Sequence, residues 1–124
     1  MQESKTVGLW REKYANLCRK TNVNQSDYAG YAYDAVWTYA YALNSLQREN
    51  ESFLSDIHSN GTTERLVSLL QATDFHGVSG RIRFLGASRV SDINVIQWIN
   101  KTAKTVGTFY PNVSTEKMEI VGGT

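Results

Sequence analysis

The stretch Asp27–Leu46 constrains the fold of this chain more than any other segment. Its apolar residues recur every three or four positions, at Ala32, Val36, Tyr39, Leu43 and Leu46, with Ala35 and Ala40 beside them. Residues at this spacing share one side of an α-helix but alternate between the faces of a strand, so the pattern predicts an amphipathic helix. Ser26 or Asp27 is expected to cap it, because a short side-chain oxygen accepts from the free N–H groups of the first turn.

An aromatic run surrounds a single carboxylate in this segment. The aromatic residues near Asp34 are Tyr28, Tyr31, Tyr33, Trp37, Tyr39 and Tyr41. So much aromatic surface predicts a helix that is covered on most sides, with Asp34 at a wet end or edge of the packed surface. Tyr28, Tyr31 and Tyr33 suit a core boundary as well as a ligand cleft, since tyrosine combines a broad ring with a polar tip. Both interpretations stay open on the residues alone.

The segment before it, Ser4–Lys20, carries a second helical pattern. Its apolar face holds Val7, Trp10, Tyr14, Leu17 and Cys18. Cys18 is the only cysteine, so the chain cannot form an internal disulfide. We predict a half-buried thiol; the alternative is that the partner of Cys18 lies on sequence outside this chain.

The segment after it, Gln47–Gly61, is polar and ends in the turn signal Asn60-Gly61. It is predicted as a surface loop that holds one short helical turn. Thr62 or Thr63 is then expected to cap a short helix, Glu64–Thr73. The buried stripe of that helix is predicted at Leu66, Leu69 and Leu70.

The sequence changes character at Asp74, where helical periodicity ends. Arg81–Phe84 alternates apolar and basic residues, which is typical of a strand with one apolar face. After a turn at Gly86–Ser91, three more strands are predicted, at Ile93–Asn100, Val106–Tyr110 and Met118–Val121. Helices followed by short strands predict an α+β chain, or two halves that belong to different layers.

Composition excludes several classes of protein. A chain of 124 residues with a net charge of +1 normally forms one domain, and it has no basic cluster for nucleic acid. No apolar run reaches the roughly 20 residues of a membrane span. The first ten residues lack the basic start and apolar core of a secretory signal.

The sequon Asn-x-Ser/Thr is unusually frequent. It occurs at Asn24, Asn50, Asn60, Asn100 and Asn112. Nine Asn and 22 Ser or Thr in 124 residues would give about 1.6 sequons by chance. The excess favours a glycosylated extracellular protein and predicts these five asparagines as glycan sites.

Catalytic and metal-binding patterns are weak. His58 and His76 stand apart, without the three or four ligands that zinc requires. Ser79 lies between glycines but lacks the G-x-S-x-G spacing of a hydrolase nucleophile. The sequence therefore predicts no catalytic residue, no metal and no cofactor, and a protein that is not an enzyme.

Two stretches carry a resemblance to a known family. Gly30–Trp37, read as GYAYDAVW, and Asp74–Phe84, read as DFHGVSGRIRF, resemble the extracellular Venus flytrap region of metabotropic GABA type B receptors, which are class C G-protein-coupled receptors. The spacing between the stretches also fits, as does the tail from Ile96 to Tyr110. The match covers roughly Trp10 to Val121.

The resemblance implies a fold. It is an α/β fold, of which this chain would be a C-terminal fragment: the bilobed periplasmic-binding-protein type I, or Venus flytrap, fold. Residues 1–76 would be the helical part of the first lobe, and residues 77–124 the crossover and strands of the second. Gly77 and Gly80 would lie at the crossover, where lobe closure needs an adaptable backbone.

The resemblance also implies a role. In the agonist-binding subunit of the family, a glutamate six residues before the helix aspartate holds the amino group of GABA; here that position is Tyr28. The chain is closer to the second subunit type, which does not bind GABA, so Tyr28 and Tyr31 would line a cleft without that carboxylate. The full-length protein would lie in the cell membrane, facing outward, paired with a GABA-binding subunit and coupled to a G protein. The alternative is a truncated, stand-alone soluble protein with a remnant of the fold.

Overall fold

The computed structural model describes residues 6–111 and 117–120, and the chain forms two compact units, Met1–Arg89 and Val90–Thr124. The first unit holds four helices: α1 (Val7–Thr21), α2 (Ala29–Glu49), α3 (Ser52–Ser55) and α4 (Asn60–Gln71). Two antiparallel hairpins follow: β1 (Phe75–Gly77) with β2 (Gly80–Ile82), and β3 (Phe84–Leu85) with β4 (Ser88–Arg89). The second unit is an antiparallel sheet of β5 (Ile93–Ile99), β6 (Thr102–Tyr110) and β7 (Lys117–Ile120), in that order.

Helix α1 is closed at both ends by local hydrogen bonds. The Thr6 hydroxyl accepts from the Leu9 N–H at 3.1 Å. At the other end Asn22 adopts φ 53°, its N–H donates to the Arg19 carbonyl at 3.3 Å, and the Val23 N–H donates to the Cys18 carbonyl at 2.9 Å, which is the Schellman type of helix termination. Cys18 is buried, with 6% of its surface exposed, so the thiol is more buried than predicted. Leu17 is exposed, contrary to its predicted place on the buried face.

The predicted cap of α2 is wrong. Tyr28 occupies the N-cap position and makes no side-chain cap bond. Ser26 closes the turn that precedes the helix instead. Its hydroxyl accepts from the Tyr28 N–H at 3.2 Å, and its own N–H donates to the Tyr14 hydroxyl at 2.8 Å. A serine whose oxygen closes this local turn is no longer available to the first turn of the helix.

The buried stripe of α2 is also different from the predicted one. Every fourth residue is buried, namely Asp34, Thr38, Ala42 and Leu46. Of the predicted stripe, Val36 is 70% exposed and Tyr39 is 54% exposed, while Leu46 is buried. Mostly small and polar residues lie inward because the helix is held there by hydrogen bonds at Asp34 and by packing at Leu46. The helix is therefore not covered on most sides.

The segment predicted as a surface loop with one short helical turn does contain that turn, α3, but the loop is shorter than predicted because helices extend into both of its ends. Helix α2 continues to Glu49, and α4 already begins at Asn60. The α4 cap is Ser59, whose hydroxyl accepts from the Thr62 N–H at 3.3 Å, so the predicted caps at Thr62 or Thr63 are wrong. The expected turn at Asn60-Gly61 is the first turn of this helix, because a capping serine stands directly before it.

An exposed ion pair joins α2 to α4. The guanidinium of Arg65 donates from Nε to Glu49 Oε2 at 2.8 Å and from Nη2 to Oε1. These bonds hold the pKa of Glu49 below its usual value of 4.5. The pair thus favours the charged carboxylate in the folded chain.

We expect this pair to contribute stability that is lost in acid. A carboxyl group whose folded pKa is lowered contributes fully above its unfolded pKa, here near 4.5, and loses that contribution as the pH falls through the lowered folded pKa. Glu49→Gln should flatten the acid limb of the stability-versus-pH curve. Denaturant unfolding of both forms at a series of pH values, with a carbon NMR titration of Glu49, measures this. Identical acid limbs would contradict it.

The strand predicted at Arg81–Phe84 is divided between two hairpins. Ile82 pairs with Phe75 in the first hairpin and is buried, whereas Phe84 pairs with Arg89 in the second. The second hairpin turns at Gly86, which has φ 60°. The Asp74 carboxylate binds Arg81 at 2.7 and 2.9 Å, and these hydrogen bonds hold the pKa of Asp74 below its usual value.

The three later strands are close to those predicted. The β5–β6 hairpin turns at Asn100 and Lys101, whose φ values of 49° and 65° are those of a type I′ turn. The register shifts between Val95 and Ile96, which pair with Gly107 and Thr105, so that Val106 forms a β-bulge. Every residue of β5 is exposed within the described structure. Val121, at the end of the predicted last strand, lies outside the described residues.

Candidate functional site

Asp34 is the centre of a buried hydrogen-bond cluster in the first unit. Its carboxylate is 1% exposed and lies against the turn between β1 and β2. Oδ1 accepts from the Val78 N–H at 2.9 Å, and Oδ2 accepts from the Ser79 N–H at 2.7 Å and from the Ser79 hydroxyl. Two successive N–H groups that converge on one anion form a nest, which compensates for the loss of water around the buried charge.

The expectation that Asp34 lies at a wet end or edge is therefore wrong. A carboxylate inside a helix is usually solvated, because the backbone N–H groups around it are already bonded within the helix. Here the donors come from Val78 and Ser79, more than forty residues later in the chain. The spacing of residues along α2 gives no sign of this contact.

Gly77 and Gly80 flank the turn that binds Asp34, and each has a distinct structural reason. A Cβ on Gly77 would overlap the Asp34 carboxylate, so the backbone can approach the anion only because this residue has no side chain. Gly80 has φ +108°, in the left-handed region that side chains rarely adopt. Their predicted role at an interlobe crossover stays a prediction.

Arg89 extends the cluster on the far side of Ser79. Its Nη1 donates to the Ser79 hydroxyl at 3.0 Å, and its Nη2 donates to the carbonyls of Ser79 and Arg81 at 3.3 and 3.2 Å. The same guanidinium lies over the Tyr31 ring, 5.7 Å from its centroid. Ser79 thus donates its hydroxyl proton to Asp34 and accepts from Arg89, which is a structural arrangement rather than an activated nucleophile.

An open hollow of about 610 Å³ adjoins this cluster. Its wall includes Tyr31, Ser79 and Gly80 from the cluster, the charged side chains of Arg11 and Asp27, and the rings of Trp10 and Tyr14. The rings of Trp10 and Tyr14 are stacked, with centroids 5.4 Å apart. The hollow is therefore a place where a ligand would meet aromatic faces, both signs of charge and a hydroxyl group.

The predicted cleft residues have different places in this geometry. Tyr31 and Gly80 both line the hollow. The Tyr31 ring also contacts the guanidinium of Arg89. Tyr28, at the N-cap of α2, is 76% exposed and is not among the residues of its wall. Tyr33 packs between Trp10 and Trp37, which is a core-boundary position.

The predicted glycan sites occupy different local structures. Asn24 is exposed in the link between α1 and α2, Asn60 is exposed in the first turn of α4, and Asn100 is exposed at the tip of the β5–β6 hairpin. Asn50 is exposed at the end of α2, where its side-chain oxygen accepts from both the N–H and the hydroxyl of Ser52. Asn112 lies outside the described residues.

Within residues 6–111 and 117–120, no three His, Cys, Asp or Glu residues come close enough to hold a metal ion. Over the same residues, no helix has the length and apolar character needed to cross a membrane. The cluster is held by hydrogen bonds among the described residues. Sequence reasoning considered Ser79 only to reject it as a nucleophile, and it did not consider Arg89. The available signals were a serine between two glycines and a carboxylate embedded in an aromatic helix.

Comparison with known proteins agrees with the two stretches that carry the resemblance. The family model described as "Receptor family ligand binding region" matches residues 4–101. The chain is similar to the gamma-aminobutyric acid type B receptor subunit 2 of Homo sapiens and to that of Mus musculus, each 27% identical over 130 residues. Both matches cover 97% of this chain and 13% of the relative. The Caenorhabditis elegans subunit 2 is 26% identical over 56% of this chain.

The predicted family and fold class are confirmed by these matches. The chain spans about 13% of the length of its human and mouse relatives, so it corresponds to a small part of such a protein. Its mixed helices and strands are those of part of a periplasmic-binding-protein-like α/β fold. The relatives are named as receptors rather than enzymes. With a match over residues 4–101, the chain belongs to the family of receptor ligand-binding regions.

Proposed function

We propose that this chain is part of the extracellular ligand-binding region of a GABA type B-like G-protein-coupled receptor, in a subunit-2-like partner that does not itself bind GABA. The observation that carries the proposal is the similarity to subunit 2 over 97% of the chain. In this proposal residues 1–76 belong to the first lobe and residues 77–124 to the crossover and second lobe. The full-length protein lies in the cell membrane and pairs with a GABA-binding subunit that responds through a G protein.

The residue at the start of α2 supports the non-binding role. Tyr28 stands where the family resemblance places the carboxylate that holds the GABA ammonium. A neutral phenol cannot replace the charge-assisted hydrogen bond that a carboxylate makes to an ammonium. Asp27 does line the hollow, but it precedes the helix and is one residue away from that position.

We expect no GABA binding at millimolar or lower concentration by the receptor region that contains this chain. Isothermal titration calorimetry of the purified ectodomain with GABA measures this, and co-expression with a GABA-binding subunit should yield a complex that binds GABA. Saturable binding by the isolated partner, abolished by Tyr28→Ala, would overturn the subunit assignment. Failure to form the complex would count against the partner role.

We also expect N-linked glycans on at least two of the five predicted sites when the full-length protein is secreted or displayed. Asn50 and Asn100 are well suited, because both are exposed at the end of an element rather than inside one. Intact mass before and after glycosidase treatment counts the glycans, and Asn50→Gln and Asn100→Gln locate them. An unchanged mass would contradict the extracellular location.

A further inference from the structure

We propose that Arg89 is a positioning residue for the hollow beside Asp34. Its guanidinium joins two walls of the hollow, the Tyr31 ring and the Ser79–Gly80 turn, although Arg89 does not line the hollow itself. The idea that the hollow receives a ligand rests on the proposed receptor function. The idea that Arg89 fixes the shape of the hollow rests only on its contacts with Tyr31 and Ser79.

Arg89 joins the two hairpins of the first unit. They form separate two-stranded sheets, so no strand ladder holds one against the other. Arg89 ends the second hairpin, and its side chain reaches the Ser79 hydroxyl and the carbonyls of Ser79 and Arg81 in the first. Three hydrogen bonds from one side chain therefore hold the β1–β2 turn to the end of β4.

The Ser79 hydroxyl lies between two opposite charges. Asp34 and Arg89 bind opposite sides of the same Ser79 hydroxyl, which donates to the carboxylate and accepts from Nη1. Ser79 thus links a buried anion to a cation without direct contact between them. Arg89 thereby places a positive charge on the side of this bridge opposite Asp34.

Arg89 also contacts Tyr31. The flat guanidinium lies over its ring, a geometry that suits arginine because the cation is planar and weakly hydrated. The Nε atom of Arg89 is buried and has no hydrogen-bond partner within the described residues. Leaving one donor unpaired is unfavourable, so the position of the guanidinium is set by its other bonds and by the ring. Tyr31, Ser79 and Asp34 are consequently held as one group.

The test compares Arg89→Gln and Arg89→Lys with the matched control Arg81→Gln in the receptor ectodomain. Arg81 lies in the neighbouring hairpin, and its side chain binds Asp74 rather than the hollow. Fluorotyrosine NMR, with Tyr31 assigned through Tyr31→Phe, reports the ring, and hydrogen exchange reports the amides of Val78 and Ser79. Arg89→Gln should shift the Tyr31 signal and raise exchange at the turn by roughly tenfold.

Arg89→Lys should keep the fold and the charge but still shift the Tyr31 signal, since an ammonium cannot reach the ring and all three oxygens together. An unchanged Tyr31 signal in both Arg89 variants, or an equal shift in Arg81→Gln, would overturn the proposal. The result is separable from the receptor assignment. If the Tyr31 signal responds as expected but the protein forms no complex with a GABA-binding subunit, the proposed function fails and the positioning role stands.

Discussion

Replacing Asp34 with alanine should lower the free energy of unfolding by about 3 kcal/mol, because two backbone N–H groups in or at the edge of the core lose their acceptor at about 1–3 kcal/mol each. The donors are Val78 and Ser79, which lie 2.9 and 2.7 Å from the carboxylate oxygens. Asp34→Asn should cost nearly as much, since its NH2 group would have to face one of these donors. Urea unfolding of the ectodomain, followed by tryptophan fluorescence, measures the change.

The matched control for Asp34 is an exposed aspartate in the same unit. Asp56 follows α3 and is exposed, so Asp56→Asn should change the free energy of unfolding by less than about 0.5 kcal/mol. Hydrogen exchange adds a local test, because the amides of Val78 and Ser79 should lose protection in Asp34→Ala before the rest of the unit does. Equal stability of Asp34→Ala and Asp56→Asn would refute the role assigned to the cluster.

Gly77→Ala should lower the free energy of unfolding by about 2–3 kcal/mol, the cost of forcing extra volume into a packed site. The added methyl group would overlap the Asp34 carboxylate, which cannot withdraw because Val78 and Ser79 hold it in place. The same unfolding measurement applies. The expected loss comes from steric overlap and does not require the glycine to be flexible.

Two further variants separate this explanation from a general effect of Gly→Ala substitution. Gly61 lies in α4 with nothing near its missing Cβ, so Gly61→Ala should be neutral or stabilise by up to about 1 kcal/mol. In the double variant Gly77→Ala with Asp34→Ala the overlap disappears, so the two losses should not add. Simple additivity would mean that Gly77 is needed for a reason other than the approach to Asp34.

Sequence patterns predicted the elements better than their packing. The helices near Val7–Thr21 and Ala29–Glu49 and the three later strands follow from local periodicity, which depends only on neighbouring residues. The N-caps Ser59 and Tyr28 were not predicted. Several serine, threonine and aspartate residues near each helix start could cap it, and which one does so depends on the hydrogen bonds that each already makes, as Ser26 makes one to the Tyr28 N–H.

The amino-acid sequence alone determined the family, the order of helices before strands and the position of the aromatic helix. These properties depend on short motifs and on the spacing of residues that are near one another in the chain. Tertiary structure alone decided which side of that helix is buried. Its inward residues are set by Asp34, whose hydrogen-bond donors arrive from a turn more than forty residues away. Contacts between residues so far apart produce no periodic pattern in the sequence. Only the folded chain therefore shows that Asp34 is the buried centre of a cluster with Ser79 and Arg89.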